Sequence, residues 1–124
     1  MQSERRILVV DDAPINIRQL SQILRDSYSV CAATDGETAL ELARTQPLDL
    51  ILLDVMMPGM DGYEVCRRLK NDPRTQALPV IFITAQEDDQ GHAAKLGAAG
   101  FLTKPIDPAA VRSLVAACLE KDSP

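Results

Sequence analysis

Leu48–Gly62 reads LDLILLDVMMPGMDG. A run of large aliphatics ends on an acid, Asp54, and then breaks at once into Met56-Met57-Pro58-Gly59. A chain that only had to stop a strand could use Gly or Asn. An aspartate at the mouth of a buried strand is costly unless something offsets its charge. The near-continuous hydrophobicity before it fits a parallel strand covered on both faces, where an antiparallel strand would alternate. That reading decides the fold class, and the rest of the chain agrees with it.

Further short apolar runs occur at Arg6–Val10, Ser29–Ala33, Pro79–Ile83 and Gly100–Thr103, with the central one placed at Leu48–Leu53. Helical periodicity lies between them. Val111, Leu114, Val115, Cys118 and Leu119 recur at helical spacing, and Asp107-Pro108 supplies an N-cap followed by Pro at the first helical position. Pro14 plays a similar part ahead of Ile17, Leu20, Ile23 and Leu24, and Asp61 can cap a helix over Gly62–Lys70. Five such units predict an α/β fold, a doubly wound five-stranded parallel sheet with helices on both faces.

At 124 residues the chain is one domain, placed at residues 5–121, with flexible ends at 1–4 and 122–124. The closing EKDSP reads as the start of a linker to an absent output domain. A net charge of −5 argues against direct nucleic-acid binding and against anionic membranes. No apolar run reaches the length of a membrane span, and MQSERRILVVDD has no signal-peptide pattern, so the expected location is cytoplasmic. Cys31, Cys66 and Cys118 are three in number and far apart, and read as small buried hydrophobes in a reducing compartment.

In an open α/β sheet, sites form outside the carboxyl ends of the strands, where strand order reverses. The first strand ends in Asp11-Asp12, the third in Asp54, the fourth in Thr84 and the fifth in Thr103-Lys104-Pro105. If the order is 2-1-3-4-5, Asp11, Asp12 and Asp54 converge. Three carboxylates together repel, and a divalent cation removes the conflict. All-oxygen ligands suit magnesium, with manganese as a substitute, and the absence of a His or Cys cluster disfavours zinc. Lys104 adds a compact positive charge and Thr84 a hydroxyl. Together these form a phosphoryl-transfer set with Asp54 as nucleophile. Taken singly, each residue has a duller reading: Asp11-Asp12 as a helix-start acidic pair, Thr84 as a strand end, Lys104 as surface, Phe101 as core. His92 reads as solvated, and Glu87-Asp88-Asp89 as a solvated helix start.

ILVVDD, DLILLDVMMPGMDGYEVCRRLK, VIFITA and GFLTKP, in that order, resemble the receiver domain of bacterial two-component response regulators over nearly the whole chain. The resemblance implies the flavodoxin-like strand order 2-1-3-4-5. It implies Asp54 as phosphoacceptor, with magnesium held by Asp11, Asp12, Asp54 and the backbone carbonyl of Met56. Thr84 and Phe101 would be switch residues, Lys104 the lysine of the site, and the Lys104–Pro105 bond cis. The implied partner is a histidine kinase or histidine phosphotransfer protein, with homodimerisation on phosphorylation. The switched surface would be that of the fourth helix, fifth strand and fifth helix. The domain would be a signalling switch, its only chemistry self-phosphorylation and slow autodephosphorylation.

Thr84 to Lys104 is about two residues shorter than the family pattern and holds Gly91, Gly97 and Gly100, which predicts a short or displaced fourth helix. Met56 and Gln86 match variable positions beside the site that, in the family this chain resembles, tune phosphoryl lifetime, and an apolar Met56 is a poor positioner of water. An aspartyl-phosphate phosphohydrolase would place a second acid at position 56, where this chain has Met. A nucleotide-binding module would show GxxxxGK[ST] or GxGxxG after the first strand, and neither is present. The remaining alternative is a phosphorylation-independent docking module with a receiver fold. PINIRQL and the stretch around Asp54 are similar to receivers attached to cyclic-di-GMP enzymes and to those within hybrid kinases.

Overall fold

The computed structural model describes residues 5–85 and 90–120, with nothing stated of the side chains of residues 90–92. Ten elements alternate along the chain: β1 (Arg6–Val10), α1 (Pro14–Leu24), β2 (Ser29–Ala33), α2 (Gly36–Thr45), β3 (Leu50–Asp54), α3 (Gly62–Lys70), β4 (Val80–Thr84), α4 (Gln90–Lys95), β5 (Gly100–Thr103) and α5 (Pro108–Glu120). The strands form one parallel sheet in the order β2-β1-β3-β4-β5. The expected architecture and order are those observed.

Successive side chains of a strand point to opposite faces, and the central strands bury both. Leu8, Val10, Ile51, Leu53, Val80 and Phe82 pack on one side with Leu40 of α2, Val65, Cys66 and Leu69 of α3, and Ala93 of α4. Ile7, Val9, Leu50, Leu52, Ile81 and Ile83 pack on the other with Leu20 and Leu24 of α1 and Val111, Val115 and Cys118 of α5. Every residue of β3 and of β4 is buried. This is why those segments read as unbroken hydrophobic runs.

Two strands are bounded differently from the sequence reading. β3 begins at Leu50 and includes Asp54. Leu48 and Asp49 stay outside it: the Asp49 carboxylate, in place of a strand carbonyl, accepts the Arg6 backbone N–H at 2.8 Å. β4 begins at Val80, since Pro79 has no N–H to give the ladder, and it runs on to Thr84 opposite Thr103. Cys31 is only half-buried, because β2 is an edge strand, while Cys66 and Cys118 are buried as expected.

Helix starts follow the capping residues. Asp35 accepts the Thr38 N–H at 2.8 Å, Asp61 the Glu64 N–H at 2.9 Å and Asp107 the Ala109 N–H at 3.2 Å. α1 has Pro14 in its first turn but no side-chain cap, since its N-cap residue is Ala13. The described part of α4 covers Gln90–Lys95, and Gly97 beyond it has φ +86°. Gln86 and Glu87-Asp88-Asp89 lie outside the described residues, as does the His92 side chain.

Candidate functional site

The carboxyl end of the sheet collects the candidate residues. β1 and β3 are neighbours, so Asp11, one residue past β1, and Asp54, last in β3, come side by side. Asp11, Asp12 and Asp54 each place a carboxylate oxygen within 4.8 Å of the others. Asp11 and Asp54 are only 2% and 3% exposed, whereas Asp12 is open to solvent.

The two oxygens of Asp11 have different duties. Oδ1 accepts the Ala13 backbone N–H at 2.9 Å, tying the acid to the start of α1. Oδ2 lies 3.6 Å from Lys104 Nζ. The Asp11 backbone N–H donates to the Ala33 carbonyl at 3.1 Å, which continues the β1–β2 ladder and holds the residue in place.

Lys104 enters from the far side. Its backbone N–H donates to the Thr84 carbonyl at 2.8 Å, so the ladder between β4 and β5 runs one step beyond β5. The Lys104–Pro105 peptide is cis. The ammonium crosses the end of β4 to lie 3.4 Å from Asp54 Oδ1, between the two buried acids. Thr84 is fully buried at the end of β4. Phe101 is half-buried, set opposite Phe82 in the β4–β5 register and packed on the core of the α2–α3–α4 side. Phe82 also meets Tyr63 edge-on, with ring centroids 5.3 Å apart.

Burial pushes the Asp54 carboxyl above the usual aspartate range, and the charge of Asp11 adds to the rise. Lys104 opposes both, and the Met56 backbone helps it. The lysine offsets part of the conflict at the mouth of β3, so the site remains net acidic. A hard divalent cation fits this donor set: three carboxylates in reach of one point, with neither cysteine nor histidine in the group. Met56, two residues past Asp54, is 58% exposed and belongs to the β3–α3 loop at the rim.

The sequence reading brings together Asp11, Asp12, Asp54, Thr84 and Lys104, and the structure puts all five at one end of the sheet. It passed over Gly62. A Cβ at Gly62 would overlap the Asp54 carbonyl oxygen and lie 2.9 Å from Val55 Cα. In sequence Gly62 shows only as a weak helix former behind an N-cap, and spacing alone carries no sign of the close approach.

The model of the family described as response regulator receiver domain matches residues 7–116. The response regulator PleD of Caulobacter vibrioides is 52% identical over 116 residues, covering 88% of this chain and 26% of that protein. A probable cyclic di-GMP phosphodiesterase of Vibrio cholerae is 42% identical over 115 residues, covering 91% of this chain and 26% of that protein. The chain thus spans about a quarter of the length of these relatives. Among solved structures, the receiver domain of a Pseudomonas aeruginosa sensor histidine kinase superposes with a TM-score of 0.86 at 28% identity, covering 95% of this chain and 99% of that one. That structure is described with a magnesium ion coordinated in its active-site cleft.

Proposed function

The chain belongs to the response regulator receiver domain family, and from that premise we propose that it accepts a phosphoryl group on Asp54 from a histidine kinase or histidine phosphotransfer protein. One observation supports this reading above the others: three carboxylates converge at the ends of adjacent strands with the Lys104 ammonium between the two buried ones. A structural ion pair needs one acid for one lysine, and here the acids outnumber the cation.

Asp11, Asp12 and Asp54 would hold a magnesium ion, with the Met56 backbone carbonyl as a further ligand and manganese able to replace it. When bound, the ion supplies positive charge against the equatorial oxygens of the phosphoryl group. This chain's residues do the rest. An Asp54 oxygen attacks phosphorus, a P–O bond forms, and the P–N bond of the phosphohistidine breaks with its electron pair going to the imidazole nitrogen. Lys104, freed from one of its two acids, holds a phosphoryl oxygen as a point charge.

The acyl phosphate then draws the Thr84 hydroxyl toward it, and Phe101 turns into the space this opens. The face built from α4, β5 and α5 changes as a result, a shift between two packings that an output partner reads. Homodimerisation accompanies phosphorylation in this reading. Apolar Met56 positions no water, so autodephosphorylation is slow to moderate. The domain is a cytoplasmic signalling switch and its turnover is confined to itself. The relative named a probable cyclic di-GMP phosphodiesterase favours an output linked to cyclic di-GMP.

The test is intact mass after incubation with acetyl phosphate, with and without magnesium, on wild type and Asp54→Asn. A magnesium-dependent gain of one phosphoryl group, absent from the variant, is expected. No gain under any condition sinks the reading.

A further inference from the structure

α3 begins hard against the backbone of Asp54. The Gly62 N–H donates to the Val55 carbonyl at 2.9 Å, and the space for a side chain at 62 is already filled by the Asp54 carbonyl oxygen and Val55 Cα. The atoms in the way are main chain at and just past the end of the central strand and cannot rotate aside. Gly62 has no positive φ, so this glycine answers to space and not to conformation. At an unobstructed first-turn position alanine would be the better helix former. Gly36, first in α2, makes a useful contrast. A Cβ there would meet Val65 Cγ2 at 2.8 Å and the Met60 side chain at 3.0 Å, which are side-chain atoms away from the acids.

We propose that Gly62 is a positioning residue for Asp54: it lets the first turn of α3 seat directly on the Asp54–Val55 backbone and so fixes where the Asp54 carboxylate stands against Asp11 and Lys104. The proposal rests on the phosphoacceptor reading of Asp54. A methyl at 62 must push α3 and the end of β3 apart. The carboxylate would then leave the point it shares with Asp11 and Asp12, and magnesium would lose a ligand in place.

The test compares Gly62→Ala with Gly36→Ala and wild type below their unfolding temperatures. Magnesium affinity is read by calorimetry, and the metal-free positions of Asp11, Asp54 and Lys104 by their NMR shifts. Expected are a loss of about tenfold or more in magnesium affinity for Gly62→Ala, the size seen when the support of a metal ligand is removed, and displaced shifts at all three residues. Gly36→Ala should stay within about twofold of wild type even where it lowers the melting temperature. Wild-type affinity and shifts in Gly62→Ala, or equal losses in both variants, would overturn the proposal. Should wild type bind no magnesium, the phosphoacceptor reading fails separately, and the metal-free shifts still decide the role of Gly62. Should Gly62→Ala not fold, Asp61→Ala and Asp61→Asn take its place. Both lose the same charge, but only Asn keeps the cap on the Glu64 N–H. Weaker magnesium binding in Asp61→Ala than in Asp61→Asn is expected, and equal binding would overturn the proposal.

Discussion

Lys104 Nζ stands 3.4 Å from Asp54 Oδ1 although Lys104 follows β5 and Asp54 ends β3, and these strands are not neighbours. The side chain reaches across the end of β4 to do this, and the same ammonium lies 3.6 Å from Asp11. One cation thus serves two buried acids.

Lys104→Ala leaves Asp11 and Asp54 facing each other with no positive charge between them. The lysine is about a quarter exposed. The loss of stability without metal should therefore fall between the surface and buried limits, at about 1–3 kcal/mol. Magnesium affinity should rise, because a competing cation has gone, while phosphoryl uptake falls. Urea unfolding and magnesium titration of one preparation check both signs. Weaker magnesium binding would mean that Lys104 supports the cluster instead of competing for it.

Asp54→Asn should stabilise the metal-free protein at neutral pH by about 1 kcal/mol or more, the size of a like-charge contact at this separation. The sign follows from the raised Asp54 carboxyl, caused first by burial and then by Asp11. The folded state holds this proton more tightly than the unfolded state. The contribution is therefore present below the ordinary aspartate value and is lost as pH rises through the raised one. Unfolding from about pH 3 to about pH 7 should show this downward component in wild type and not in the variant.

Magnesium should raise the melting temperature of wild type by mass action, adding about 2.7 kcal/mol when it is a hundredfold above its dissociation constant. Asp54→Asn and Asp11→Asn should each lose most of that gain, since all three acids of the cluster share one point. An undiminished gain in either variant would place the ion elsewhere.

Asp72 works with the opposite sign. Arg74 and, more weakly, Arg44 pair with it, and the Arg74 backbone N–H donates to it at 2.9 Å. These contacts hold its carboxyl down from 3.8 to about 2. Its contribution is present above the ordinary aspartate value and lost as pH falls through about 2. Asp72→Asn should flatten that acid limb of the stability curve and leave magnesium affinity unchanged.

Much of this was legible in sequence because the physics involved is local. Unbroken apolar runs at Leu50–Leu53 and Val80–Ile83 report burial on both faces, and Asp61 and Asp107 each declare a helix start. Strand boundaries were less legible. Leu48 looks like strand but lies outside β3, because the Asp49 side chain bonds the Arg6 backbone 43 positions away.

The sequence by itself determined the element order, the parallel sheet and the residue types at each strand's carboxyl end, since these depend on periodicity, capping and hydrophobicity within a few positions. Only the tertiary structure decided that one lysine bridges two acids, that Asp11 is buried while Asp12 is open, and that Gly62 must be bare. The first two depend on distances between segments far apart in the chain, and the third on how the β3–α3 loop folds back onto the end of β3. Such distances are set when the helices pack onto the sheet, and no local pattern records them.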